Sequence, residues 1–196
     1  MEPSQSTSVL APVERELLLS LARRSIGHGV GRERAAEAPA VGTLPQPLRA
    51  AGASFVTLMS GGELRGCCGV VEAFRPLAAD VWHNAWASAF ADPRFPPVEA
   101  SELPLLELEV SVLSALEPLP AATEEQLIGA LEPRLHGLVL ALGAQRATFL
   151  PKVWESLPEP ARFVGELRAK AGMPGGPWSP GIRAWRYTVA SLRPGG

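Results

Sequence analysis

The sequence predicts an α+β fold with a largely antiparallel sheet, built from hairpins and flanked by helices. Strand-forming runs come in pairs across glycine turns, at residues 53–71 across Gly61-Gly62 and at residues 137–150 across Gly143-Ala144. Segments with helical periodicity separate these pairs along the chain. Because tight turns join antiparallel neighbours, hairpins with helices between them favour α+β over a parallel α/β sheet.

Periodicity and end signals predict the remaining elements. Apolar residues recur at helical spacing after Pro12, and Pro93 ends a helix that begins at Pro76. A capping-box pattern opens a short helix at Thr123, and Gly172 stops a later helix. In chain order these elements are a helix over 12–26, a linker over 27–44 with a short helix at 32–38, a helix over 76–91, an alternating strand over 105–115, a helix from Thr123, a helix over 160–171 and a strand over 183–190.

Length and composition indicate an ordinary globular protein. With 196 residues, 46% hydrophobic and 19% charged, the chain fits one domain or a large and a small lobe. We predict a disordered tail over residues 1–11, a single domain over 12–192 and a tail over 193–196. The start lacks the features of a signal peptide and no apolar run has the length of a membrane span, so we expect a cytoplasmic protein that does not bind membranes.

The charge and the cysteine count argue against several kinds of site. A net charge of −2 provides no basic footprint, which makes nucleic acid an unlikely partner. The two cysteines are adjacent and do not form a disulfide framework. With three histidines besides, the sequence has no zinc spacing, no phosphate loop and no dinucleotide fingerprint. We therefore expect neither a metal nor a cofactor.

The segment Leu-Arg-Gly-Cys-Cys-Gly at residues 64–69 is the strongest candidate site. Strand alternation predicts that Arg65 and Cys67 share one face, roughly 6–7 Å apart at the Cα, where a guanidinium would favour the reactive thiolate. Gly66 and Gly69 leave the backbone bare, so a ligand could approach it closely. Cys67 is a candidate nucleophile, redox thiol or single metal ligand, and the alternative is a small buried strand residue.

Two further segments supply candidate residues. Asp92, Arg94 and Phe95 lie in a proline-stiffened loop after the 76–91 helix, which could shape a pocket or partner surface or form a structural turn. If this loop folds back beside the Cys67 strand, Arg94 becomes a candidate for anion binding. On the helix itself, His83 is a candidate base for the thiol, and the alternative is a hydrogen-bonded interface histidine.

These motifs together resemble the AMMECR1 (AMMECR-one) domain family, whose bacterial and archaeal members are labelled AmmeMemoRadiSam system protein A. The resemblance rests on the Leu-Arg-Gly-Cys motif, on Asp-Pro-Arg-Phe-Pro-Pro-Val at residues 92–98 and on later segments, and it covers roughly residues 13–192. It implies a site at Cys67, adds Asn84 beside His83 as a ligand or partner residue, and favours Glu109, which matches the glutamate of the family's Glu-Val-Ser-Val-Leu run.

The resemblance also implies partners, because the family co-occurs with a Memo-like protein and a radical-SAM enzyme. One hypothesis is an accessory protein with a ligand or partner site around Arg65, Cys67 and the 92–98 loop. A second is a stand-alone enzyme that uses Cys67 as nucleophile or redox thiol, with Arg65 favouring the thiolate and His83 or Glu109 handling protons. A nucleic-acid modification factor ranks last, since the basic charge is missing.

Overall fold

The computed structural model describes residues 10–32, 37–38, 40–173 and 175–195, and it confirms the α+β fold with antiparallel strand pairing and flanking helices. The helices and strands are α1 (Pro12–Gly29), α2 (Gln46–Arg49), β1 (Ala51–Ser60), β2 (Glu63–Gly69), β3 (Arg75–Pro76), α3 (Leu77–Phe90), β4 (Leu106–Leu113), β5 (Glu117–Pro118), α4 (Glu124–Gly129), β6 (Gly137–Leu142), β7 (Gln145–Phe149), α5 (Pro160–Lys170), β8 (Arg183–Tyr187) and β9 (Val189–Leu192). Short 3-10 helices cover Val41–Thr43, Ala100–Leu105 and Pro151–Glu155.

The chain forms two compact units. The first comprises residues up to 113 together with 190–196, and its sheet has the strand order β2-β1-β4-β9, with β3 also paired to β1. Alternation along β1 buries Val56 and Leu58, which pack in one core cluster with apolar residues of α1 and α3. One face of this sheet is therefore covered by α3, and Cys67 lies on β2 at the edge of the sheet.

The first hairpin forms as the glycine pair predicts. Gly61 and Gly62 have φ values of 60° and 83°, the left-handed geometry of a two-residue hairpin turn that only glycine adopts without strain. Beyond the turn the register shifts, because Met59 pairs with Leu64 but Leu58 pairs with Gly66. Arg65 is therefore an extra residue in a β-bulge.

The second unit, Ser114–Val189, has its own sheet and its own core. Its strand order is β5-β8-β6-β7, and α5 packs against one face through Phe163, Val164 and Leu167. The Trp154 and Phe163 rings stack with centroids 3.7 Å apart. Thr123 caps α4 as predicted by accepting a hydrogen bond from the Gln126 N–H.

Several predicted boundaries change. The 183–190 strand divides at Thr188, whose N–H and carbonyl bond to the Ser114 hydroxyl and N–H, so β8 and β9 pair in different sheets. The helix predicted over 12–26 extends to Gly29. Residues 1–9 of the predicted tail and residues 33–36 of the predicted short helix lie outside the described residues. No helix in the described part of the chain is both long and apolar enough to cross a membrane.

Candidate functional site

Cys67 lies on the face of the first sheet opposite α3. Its partner across the strands is Thr57, whereas Cys68 pairs with Val56 on the face that α3 covers. The Thr57 hydroxyl donates a hydrogen bond to the Cys67 Sγ over 3.5 Å, and the thiol side chain is only half-buried. The two adjacent cysteines therefore have different surroundings, and burial raises the pKa of the Cys68 thiol.

The backbone of Cys67 is held by the loop that follows α3. Its N–H donates to Asp92 Oδ2 over 2.9 Å, and its carbonyl accepts from Arg94 Nη2 over 3.3 Å. Because β2 is an edge strand, Asp92 and Arg94 occupy the hydrogen-bonding positions that a further strand would fill. The loop thus folds back beside the Cys67 strand, the condition on which the predicted anion-binding role of Arg94 depends.

Asp92 and Arg94 also bind each other. Arg94 Nη2 lies 2.6 Å from Asp92 Oδ2, and Arg94 Nε lies 2.9 Å from Asp92 Oδ1. The hydrogen bonds from Arg94 hold the pKa of Asp92 well below its ordinary value, and the Cys67 N–H acts in the same direction against the effect of burial. Asp92 is buried, whereas the Arg94 side chain is 54% exposed and its guanidinium carbon lies 5.5 Å from the centre of the Phe95 ring. We name this pair the edge clamp.

Arg65 connects the same strand to the rest of the loop. Its guanidinium binds both carboxylate oxygens of Glu102, at 2.7 and 3.0 Å, and donates to the carbonyls of Pro96 and Pro97. These bonds hold the pKa of Glu102 below its ordinary value. The strand register shifts at Arg65, so the bulge interrupts the regular ladder from which we predicted that Arg65 and Cys67 share one face. Arg65 supports the loop, and its predicted effect on the thiolate stays a prediction.

The two glycines of the motif are close to other groups of the protein, so the bare backbone that we expected there is not open. A Cβ on Gly66 would lie 2.0 Å from the Ser88 carbonyl oxygen of α3, and one on Gly69 would lie 2.3 Å from the Phe55 ring. The Ser88 hydroxyl also accepts from the Cys68 N–H and lies 2.7 Å from the Val56 carbonyl. Gly66 and Gly69 allow close packing.

His83 and Asn84 do not reach Cys67. Both lie on α3, which packs on the opposite face of the sheet from the Cys67 side chain. Burial, with the charge of Arg75, lowers the pKa of His83. Asn84 is buried and donates to the Ser54 carbonyl, the Ser54 hydroxyl and Asp80. The predicted base role of His83 and the predicted surface role of Asn84 are therefore corrected, since the rotation of α3 directs Asn84 into the core.

Glu109 lies on the predicted face. It pairs with Thr57 across β1 and β4, so Cys67, Thr57 and Glu109 form one row on three adjacent strands. Its Oε2 accepts from Arg193 Nε and Nη2 at 2.9 and 2.6 Å. The Glu109 carboxylate therefore forms an ion pair with Arg193.

Sequence reasoning missed three residues that build this site. Thr57 contacts the thiol, Ser88 bridges β1, β2 and α3, and Glu102 binds Arg65. Alternation along β1 and helical spacing after Asn84 were signals for the first two. Glu102 forms a capping box with Glu99, a local signal that does not reveal the longer contact to Arg65. In the described part of the chain no group of three or more His, Cys, Asp or Glu side chains is placed to hold a metal.

Comparisons with known proteins extend over most of the chain. The family model described as AMMECR1 matches residues 19–192. A protein of Aeropyrum pernix is 35% identical over 194 residues, which cover 94% of this chain and 80% of that protein. A protein of Thermofilum pendens is 34% identical, with 91% and 88% covered. The crystal structure of the uncharacterized protein PH0010 from Pyrococcus horikoshii is similar with a TM-score of 0.78 and 29% identity, covering 90% of this chain and 89% of that one.

Proposed function

The chain belongs to the AMMECR1 family, and from that premise we propose that it is an accessory protein that binds a Memo-like protein and a radical-SAM enzyme in the cytoplasm. The contact surface in this proposal comprises β2 and the 92–98 loop. Cys67, Arg94 and Phe95 belong to it, and Leu64 extends it along β2. The Memo-like protein and the radical-SAM enzyme are proposed as partners because the family resemblance implies them.

One observation carries the proposal: the motif and the loop are joined into a single preformed surface. The edge clamp holds both peptide groups of Cys67, and Arg65 holds the carbonyls of Pro96 and Pro97. A surface that is already ordered loses little conformational entropy on binding, so its exposed groups contribute more fully to affinity. Those groups include the Arg94 guanidinium and Leu64, which is 39% exposed although it is apolar.

Calorimetry with purified proteins tests the proposal. The full chain is titrated with the Memo-like protein and with the radical-SAM enzyme of the same organism, as wild type and as Leu64→Glu. Because Leu64 makes no bond to the edge clamp, this variant places a charge on the surface without disturbing Cys67. Val13→Glu is the matched control, since Val13 is 62% exposed and lies on α1.

We expect Leu64→Glu to weaken binding of at least one partner by about tenfold or more, the effect of a charge placed in an apolar contact. Val13→Glu should bind within about twofold of the wild type. Equal affinities for the two variants, or no binding by the wild type, would contradict the proposal.

The Cys67–Thr57–Glu109 row favours a second candidate, an enzyme that uses Cys67 as nucleophile or redox thiol. Iodoacetamide alkylation of the native protein, mapped to each cysteine by mass spectrometry, separates the two candidates. The enzyme candidate predicts that Cys67 reacts faster than both Cys68 and the thiols of the unfolded chain, and that Thr57→Val changes this rate. The accessory candidate predicts no acceleration over the unfolded chain.

A further inference from the structure

One row of side chains crosses the first sheet next to the turn of the first hairpin. Met59 on β1 pairs with Leu64 on β2 and with Glu107 on β4, so the three side chains project from one face. This face is the one opposite α3, because Met59 alternates along β1 with the buried Leu58, which packs in the core with α3. We name Leu64, Met59 and Glu107 the hairpin row.

Glu107 supplies the charge of the hairpin row. Its side chain is exposed, and it makes no hydrogen bond or ion pair with any residue that the structure describes. The next carboxylate on the same face of β4 is balanced, because Glu109 binds Arg193. Glu102, just before β4, is also balanced, because it binds Arg65. A cation that complements Glu107 would therefore have to come from a partner.

The other two members of the row are apolar. Leu64 is exposed and Met59 is half-buried. Methionine is flexible and polarisable, and it is used at surfaces that adapt to a bound partner. The row therefore runs from an apolar end on β2 to an acidic end on β4. A segment that carries apolar residues followed by a cation would complement this order.

The spacing of the row matches the repeat of an α-helix. Neighbouring strands are about 4.8 Å apart, so Met59 and Glu107 lie roughly 5 and 10 Å from Leu64 across the sheet. Residues i, i+3 and i+7 share one face of a helix and are separated along its axis by about 4.5 and 10.5 Å. An extended segment presents side chains on one face every 6.6 Å or so, which fits the row less well.

We infer that the hairpin row binds an amphipathic α-helix of a protein partner, one that presents two apolar residues and a Lys or Arg on one face in the order i, i+3 and i+7. This role rests on the proposed function, because the row shares Leu64 with the contact surface proposed there, and it adds what the partner presents. Amphipathic helices are a common form of protein recognition. Nucleic acid and anionic lipid do not fit, since Glu107 would repel them.

Fluorescence anisotropy at low salt tests this inference with the full chain and two labelled peptides. The probe is a fluorescein-labelled helix of alanine and glutamine, about 18 residues long, with leucine at i and i+3 and lysine at i+7. The second peptide has the same composition but places the leucines and the lysine on different faces. The test variant is Glu107→Lys. The matched control is Glu16→Lys, which makes the same charge change on an exposed residue of α1. Circular dichroism verifies that both variants are folded.

We expect the wild type to bind the patterned peptide more tightly than the reordered one. Glu107→Lys should weaken binding of the patterned peptide by about fivefold or more, and Glu16→Lys should remain within about twofold. Leu64→Glu should also weaken it, because a charge replaces an apolar contact. A patterned peptide with glutamate in place of lysine should bind Glu107→Lys more tightly than it binds the wild type, because the two charges are exchanged.

The inference is overturned if the wild type binds neither peptide, if it binds both equally, or if Glu107→Lys and Glu16→Lys bind the patterned peptide equally. Sedimentation equilibrium of the protein alone tests a different occupant. A dimer that Leu64→Glu abolishes would assign the row to a second copy of the chain and would overturn the inference. In the calorimetric titrations, partner binding that Leu64→Glu weakens and Glu107→Lys leaves unchanged would overturn this inference but not the proposed function.

Discussion

Replacing Gly66 with alanine probes the packing that positions Cys67. A Cβ at this position would lie 2.0 Å from the Ser88 carbonyl oxygen, whereas ordinary contact begins at 3.4 Å. The strand and the helix would therefore have to move apart by about 1.4 Å, the difference of these two distances. The obstacle is helix backbone, which cannot rotate away as a flexible side chain could.

The structural cost of Gly66→Ala has two parts. Forcing extra volume into a packed contact costs about 1–3 kcal/mol. The same displacement lengthens the bond from the Cys68 N–H to the Ser88 hydroxyl, now 2.8 Å, and loss of such a bond costs about 1 kcal/mol. We expect the free energy of unfolding to fall by about 2–4 kcal/mol, which corresponds to a melting temperature lower by about 4–16 °C for a chain of this size.

Urea unfolding followed by circular dichroism measures this change. The midpoint of Gly66→Ala should fall by about 1–2 M at an unchanged slope. Gly27→Ala is the matched control, because its Cβ would meet no atom within 4 Å and the position lies inside α1. Alanine there should raise the free energy of unfolding by about 0.5–1 kcal/mol. A Gly66→Ala protein that unfolds at the wild-type urea concentration would refute the reasoning.

Two further predictions concern ionisable groups. Asp92→Asn should lower the free energy of unfolding at pH 7 by about 1–2 kcal/mol, because the charge-assisted bonds to Arg94 and Cys67 weaken. Since the folded-state pKa of Asp92 is lowered, the stabilisation by its carboxylate is fully present above a pH of about 4 and is lost at more acidic pH. The urea midpoints of wild type and Asp92→Asn should therefore converge as the pH falls below about 4. A difference between the midpoints that stays constant with pH would count against the edge clamp. Burial raises the pKa of Tyr187, the one tyrosine of the chain, to about 12. Absorbance at 295 nm should therefore show ionisation near pH 12, and the wild type should lose about 2–3 kcal/mol of stability between pH 10 and 12 that Tyr187→Phe does not lose; ionisation near pH 10 in the folded protein would contradict this.

The features that sequence predicts well are local. The Gly61-Gly62 pair predicts the hairpin because both residues need positive φ, and Pro76 and Pro93 lie within one to three residues of the ends of α3. The alternation in β4 places Glu109 correctly, because a strand with one buried face has a period of two. These inferences need only neighbours along the chain.

The features that sequence misplaces depend on contacts between elements. His83 and Asn84 are adjacent on α3, and only the rotation of the helix against β1 decides which of them enters the core. Similarly, the sequence alone does not show whether Gly66 leaves its backbone open to a ligand or packs against another element, and in the structure it packs against α3. The bulge at Arg65 arises from the pairing of β2 with β1, and no neighbouring residue in the sequence predicts a bulge at this position.

The Leu-Arg-Gly-Cys segment and the 92–98 loop are parts of one structure. Asp92 and Arg94 satisfy the outward peptide groups of the edge strand, and Arg65 on that strand satisfies two carbonyls of the loop, so each segment completes the hydrogen bonding of the other. A substitution at Asp92 or Arg65 should therefore act on the position of Cys67 before it acts on any ligand. Leu64 is exposed and outside these bonds, so its substitution tests binding alone. A function assigned to the Leu-Arg-Gly-Cys segment therefore has to be tested at exposed residues such as Leu64. Loss of activity on substitution of Asp92 or Arg65 would show only that the position of Cys67 had been disturbed.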